Sequence, residues 1–138
     1  MISTVLADTG PLTALFDKDD RFHQPVVEFL KNGKFRLVTT TAVLTEVCHL
    51  LDFSVDAQLD FFQWILKSGV RVEEVGTADL IRVIELTKKY ADRPMDFADA
   101  TLVVVAERTG IRQIISIDSD FDVYQLPGKV QIENVFGR

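Results

Sequence analysis

Carboxylates recur in this chain at places where a charge is costly. Asp8 follows the β-branched and apolar run Ile2 to Ala7, and Asp96 and Asp99 open a segment that continues as Ala100-Thr101-Leu102-Val103-Val104-Val105-Ala106. Asp118 and Asp120 follow Ile114-Ile115-Ser116-Ile117, and Glu46 sits at the edge of a stripe made by Val43, Leu44, Val47, Leu50 and Leu51. A charge taken out of water without a partner costs far more than packing returns. No Lys or Arg lies between Thr101 and Glu107 or between Gln113 and Asp122, so a bound divalent cation is the simplest neutralising group. Hard oxygen donors, with no His or Cys among them, suit Mg2+ or Mn2+ rather than zinc. Such ions activate a water and stabilise the leaving oxygen of a phosphodiester.

Other chemistries lack their parts. The chain has no G-x-S-x-G elbow, no phosphate-binding G-x-x-x-x-G-K-[ST] loop and no H-E-x-x-H helix. Glu46 and His49 have the spacing of half a carboxylate-bridged di-iron site, but His23 is the only other histidine and no second pair exists. Asp8-Thr9-Gly10 is the tripeptide of aspartic proteases, whose fold is nearly all β, and the helical periodicity here argues against it. A phospho-acceptor receiver domain needs a Lys at the end of a late strand, and none stands there. The net charge of -6 taken alone disfavours a nucleic-acid partner, yet acids that line a metal site are offset by the ions they hold.

The elements that must position these acids can be read from periodicity. Ile2 to Ala7 reads as a buried strand with Asp8 at its end, and Thr9-Gly10-Pro11 as a turn into a helix carrying Leu12, Leu15 and Phe16. Val26 to Leu30 continues at helical spacing until Asn32-Gly33, and Arg36 to Thr39 is a second strand. Val43 to Leu51 and Val55 to Lys67 are amphipathic helices, Val70 to Val75 a strand, and Thr77 caps a helix with a basic end at Lys88, Lys89 and Arg93. Met95 to Arg108 is helical, with Asp96 and Asp99 one turn apart on one face and Asp99 sharing its face with Leu102, Val103 and Ala106. Ile114 to Ile117, ended by Asp118, and Val130 to Val135 are the last strands.

Strands alternate with helices from end to end, which predicts an α/β fold: a mostly parallel central sheet covered on both faces. Its functional crevice lies outside the carboxyl ends of the strands, where Asp8 and Asp118 point. At 138 residues, 47% hydrophobic and 26% charged, the chain fits one soluble domain spanning residues 1–138. A single cysteine, Cys48, and the absence of a signal segment or a membrane-length apolar run predict a cytoplasmic protein.

Four short stretches, taken together, resemble the PIN-domain nucleases and among them the VapC-like toxins of toxin–antitoxin pairs. They are Leu6-Ala7-Asp8-Thr9-Gly10-Pro11-Leu12, Thr41-Ala42-Val43-Leu44-Thr45-Glu46-Val47, Asp96-Phe97-Ala98-Asp99-Ala100 and Ser116-Ile117-Asp118-Ser119-Asp120-Phe121. Each is weakly specific; four in the family's order are strongly so. The resemblance implies a PIN-like α/β/α sandwich and a Mg2+- or Mn2+-dependent endoribonuclease acting on single-stranded RNA. Its acidic quartet would be Asp8, Glu46, Asp99 and Asp118, with Asp96 and Asp120 as auxiliary metal ligands and Ser116 as hydrogen-bond partner to a carboxylate or a metal water. It also implies an antitoxin partner and a homodimer, for which part of the aromatic run Phe61, Phe62 and Trp64 would supply contact surface. The rival is a PIN-like nucleic-acid-binding or regulatory module without turnover.

Overall fold

The computed structural model describes residues 1–136. Its centre is β1 (Ser3–Ala7), in which Val5, Leu6 and Ala7 are fully buried. An unbroken apolar run of this kind belongs to a strand covered on both faces. Strands β2 (Phe35–Thr40) and β4 (Gln113–Ile115) flank it, β3 (Arg71–Glu73) lies outside β2, and β7 (Glu133–Asn134) lies outside β4. All four pairings are parallel. The chain therefore lays down β1, β2 and β3 toward one edge and returns for β4 and β7 on the other side. The order reverses between β1 and β4, and an open parallel sheet places its crevice at such a reversal.

Six helices join these strands among the described residues: α1 (Thr9–Phe16), α2 (His23–Asn32), α3 (Thr41–Leu50), α4 (Val55–Leu66), α5 (Leu80–Lys89) and α6 (Phe97–Thr109). Helix α1 packs on α2 and α4, α5 packs on α6, and α3 touches both α1 and α6. Side-chain caps fix several helix starts. Thr40 accepts from the Val43 N–H, Ser54 from Ala57 and Asp96 from Asp99, each cap contributing about 1 kcal/mol. Among the described residues no helix is long and apolar enough to cross a membrane.

Helix α6 is buried on every side through its middle turns. Every residue from Ala98 to Ala106 is buried, because the segment is apolar on all sides and lies in the core. Its orientation is locked at two levels. The Thr101 and Thr40 hydroxyls are 2.8 Å apart, and Arg82 of α5 forks onto Glu107, its Nε donating to Oε1 and its Nη2 to Oε2, each at 2.9 Å. Gly110, at φ 82°, ends the helix in the left-handed region.

Four boundaries depart from the sequence reading. Thr77 does not cap α5 but lies in a 3-10 turn (Thr77–Asp79) that leads into it, closed by the Asp79 carboxylate accepting from the Gly76 N–H. The expected turn at Thr9-Gly10-Pro11 is the first turn of α1, with Asp8 as its N-cap residue. Strand β4 stops at Ile115 rather than Ile117, because the Asn134 side chain takes over the pairing there: its Oδ1 accepts from the Ser116 N–H and its Nδ2 donates to the Ser116 carbonyl. Asp118 thus lies in a bend past the strand end. The expected strand Val130 to Val135 is split into β6 (Val130–Gln131) and β7 around the buried Ile132. Gly128, at φ 78°, turns the chain back so that β6 pairs antiparallel with β5 (Gln125–Leu126).

Candidate active site

Asp8 stands where β1 becomes α1, and the register of β1 with β4 pairs Ala7 with Ile115. The next residues on the two strands therefore face each other: the Ser116 hydroxyl donates to Asp8 Oδ2 at 2.8 Å, and the Thr9 N–H donates to Asp8 Oδ1 at 2.8 Å. Ser116 so fulfils the role of carboxylate partner. Asp8 is only 4% exposed. Burial, helped by the nearby charges of Asp118 and Asp96, raises its carboxyl to about 7 against the pull of these two donors.

Asp99 occupies the first turn of α6 and is 7% exposed. Burial first, then the negative charges of Asp8 and Asp96, push its carboxyl up to about 8, while a hydrogen bond from Tyr124 works the other way. That bond runs from the Tyr124 hydroxyl to Asp99 Oδ2 at 3.0 Å. Among the described residues no ion pair reaches Asp8 or Asp99; the five pairs present lie elsewhere.

The other predicted acids fall into distinct situations. Asp96 and Asp118 are exposed but near enough to raise both buried carboxyls. Asp96 also caps α6, its Oδ1 accepting from the Asp99 N–H at 2.9 Å. Asp118 Oδ1 accepts from the Asp120 N–H at 2.9 Å. Glu46, half-buried on α3, is drawn in by Thr9, whose hydroxyl donates to Glu46 Oε1 at 2.7 Å. Asp120 is bound to Arg93 at 3.0 Å, so a cation from the protein already answers its charge.

Among the described residues no group of three or more His, Cys, Asp or Glu side chains forms a ready-made metal cage. The donor chemistry nonetheless fits a divalent cation. Two buried carboxylates with no basic partner resist ionisation, and a hard cation is the group that would relieve them. Glu46 lines a cavity of about 350 Å³ with Thr45, His49 and Leu50, and Gly10 and Ile117 line a neighbouring one of about 370 Å³. A cavity of about 720 Å³ lined by Thr4, Arg71, Arg112 and Gln113 lies at the opposite ends of the strands, away from the acids.

Two residues at this site are given no role in the site by the sequence reading. Thr9 is adjacent to Asp8, yet its partner Glu46 is 37 positions away. Tyr124 is a buried polar aromatic in a loop, and only its depth, 3% exposed, would have flagged a hydroxyl in need of an acceptor.

The model of the PIN domain family matches residues 5–126. Over 116 residues the chain is 28% identical to the ribonuclease VapC26 of Mycobacterium tuberculosis strain H37Rv, covering 83% of this chain and 86% of that protein. The crystal structure of Mycobacterium tuberculosis VapC20, a toxin that cleaves the sarcin–ricin loop, superposes with a TM-score of 0.77 at 25% identity, covering 86% of this chain and 92% of that one.

Proposed function

Since the chain belongs to the PIN-domain family, we propose that it is a metal-dependent endoribonuclease, hydrolysing phosphodiester bonds of single-stranded RNA as the toxin of a toxin–antitoxin pair. One observation carries this reading: Asp8 and Asp99 are brought together at the reversal point of the sheet, both buried and, among the described residues, both without a basic partner. The similarity to a ribonuclease and to an RNA-cleaving toxin supports RNA as the substrate.

Asp8, Asp99 and Asp118 are the residues that would hold Mg2+ or Mn2+, with Asp96 beside them. A bound ion supplies positive charge against the phosphodiester and activation of water. Within the chain, Ser116 and the Thr9 amide fix the Asp8 carboxylate from both sides. Thr9 also aims Glu46, which serves as a further ligand or as the base that orients water. Asp120, engaged by Arg93, acts on the edge of this set. The cytoplasm, where RNA is met, is the place of action.

Partners have surface to bind. On α4 Val55, Leu59, Phe62 and Leu66 are exposed at successive helical turns, with Leu50 and Phe53 beside them, and on α5 Leu80, Ile81 and Ile84 are exposed. Patches of this kind mark protein contacts and support both an antitoxin segment and a second copy of the chain as occupants. Phe61, by contrast, is fully buried, and Trp64 packs against Phe16 at 5.3 Å, so the aromatic run is divided between core and surface.

The test is cleavage of a single-stranded RNA by purified protein with Mg2+ or Mn2+ against a metal-free control. Metal-dependent cleavage is expected. No cleavage and no metal-dependent thermal shift would overturn the reading, and a shift without cleavage assigns a binding or regulatory module instead.

A further inference from the structure

Tyr124 is 3% exposed and sits between two rings, edge-on to Phe121 at 5.0 Å and to Tyr90 at 5.1 Å. A phenylalanine would fill that space equally well. A phenol oxygen buried among rings is unfavourable unless it finds a partner, and this one donates to Asp99 Oδ2 at 3.0 Å. Asp99 Oδ1 accepts no hydrogen bond among the described residues, in contrast to Asp8, each of whose oxygens accepts one.

The segment that carries Tyr124 is itself pinned to the α5–α6 side of the molecule. Arg93 holds Asp120 at 3.0 Å, and the Tyr90 hydroxyl accepts from the Gln125 N–H at 2.8 Å. Asp118 leads into the same segment, and its own carboxylate anchors the Asp120 amide. The stretch from Asp118 to Gln125 thus ties two of the predicted acids together, one in its first residue and the other through the Tyr124 hydroxyl.

We propose that Tyr124 is a positioning residue: its hydroxyl holds Asp99 by Oδ2, fixes the rotation of the carboxylate on α6 and leaves Oδ1 for the divalent cation. The inference rests on the metal-dependent reading of this site. Hydrogen-bond partners behind a metal ligand orient it, and their removal weakens metal affinity by about 10–100-fold. Tyr124 does not touch the substrate, so its effect is felt through the metal.

The experiment compares wild type, Tyr124→Phe and Tyr90→Phe for Mn2+ binding by calorimetry, for melting temperature without metal, and for RNA cleavage across a Mn2+ titration. Tyr124→Phe is expected to weaken Mn2+ binding by about tenfold or more, and to raise the Mn2+ concentration needed for half-maximal cleavage in step, with most of the rate recovered at saturation. Tyr90→Phe removes the hydroxyl that accepts from the Gln125 N–H but leaves the Tyr124 bond to Asp99, and is expected to weaken Mn2+ binding by clearly less than Tyr124→Phe does. Unchanged Mn2+ affinity in Tyr124→Phe, or an equal loss in Tyr90→Phe, overturns the proposal. A wild type that binds Mn2+ yet cleaves no RNA removes the nuclease reading while the binding comparison still decides the role of Tyr124; a wild type that binds no Mn2+ overturns both.

Discussion

The Thr9 hydroxyl donates to Glu46 Oε1 at 2.7 Å, joining the first turn of α1 to the middle of α3. The Thr9 backbone amide meanwhile donates to Asp8 Oδ1. One residue therefore sets the separation of two acids that belong to different helices. Thr9→Val keeps the shape and removes the donor. Cleavage is expected to fall by about tenfold or more while stability changes by about 1 kcal/mol, and Thr9→Ser is expected to restore the rate. Kinetics with thermal melts of the three proteins check this.

Asp8→Asn and Asp99→Asn retain nearly the same volume and the same neighbours. Each is expected to lower metal-dependent cleavage by more than about 100-fold, the scale on which a preorganised charge contributes to a transition state, with the circular-dichroism spectrum unchanged. Cleavage that survives both substitutions would remove these residues from the reaction.

The metal-free protein is expected to lose stability as pH rises. The Asp8 and Asp99 carboxyls stand at about 7 and about 8 when folded against 3.8 in the reference state, so the folded chain holds more protons than the unfolded one between those limits. Stability from this source is full below about pH 4 and is lost as pH rises through about 7 to 8. Melting in a chelator should drop by at least about 5 °C between about pH 5.5 and 8.5, corresponding to about 2 kcal/mol. Saturating Mn2+ should flatten the profile. A metal-free melting temperature that climbs over this window contradicts the assignment.

Asp120 offers a graded comparison. Its pair with Arg93 is half-exposed and contributes at most about 1 kcal/mol. Asp120→Asn is expected to cost less than about tenfold in cleavage, far less than Asp99→Asn. Equal losses would place Asp120 among the principal ligands.

Adjacent aromatics on α4 should respond in opposite ways. Phe61 is fully buried and Phe62 is 45% exposed. Phe61→Ala is expected to destabilise by about 3–5 kcal/mol. Phe62→Ser should stay within about 0.5 kcal/mol of wild type, and light scattering of this variant reports whether the α4 face holds a second copy.

The parts of the fold legible in the sequence are those where one residue type repeats under a single constraint. Val5-Leu6-Ala7, at the end of a β-branched and apolar run, is fully buried, and β1 is the central strand. Asp8 and Asp99 stood out because acids beside such runs need an explanation, and both are buried. Periodicity failed where a tertiary partner decides. It ran strand β4 on to Ile117, since nothing local shows that the Asn134 side chain intercepts Ser116. Thr9 and Tyr124 stayed silent because their acceptors lie 37 and 25 positions away, and such distances are closed only by folding.

Helix α6 works as an indexed shaft. Its core section has no solvent side to turn toward, and the Thr40–Thr101 contact and the Arg82–Glu107 fork act as keyways at two heights. A residue added between Asp99 and Thr101 could not be absorbed by rotation, because one step of the helix is about 100° and would swing the acid away from Asp8 and Tyr124 while Thr101 and Glu107 stay keyed. The spacing from the acid to these two contacts is thus fixed, whereas the exposed chain that leads into the helix is not held to one length.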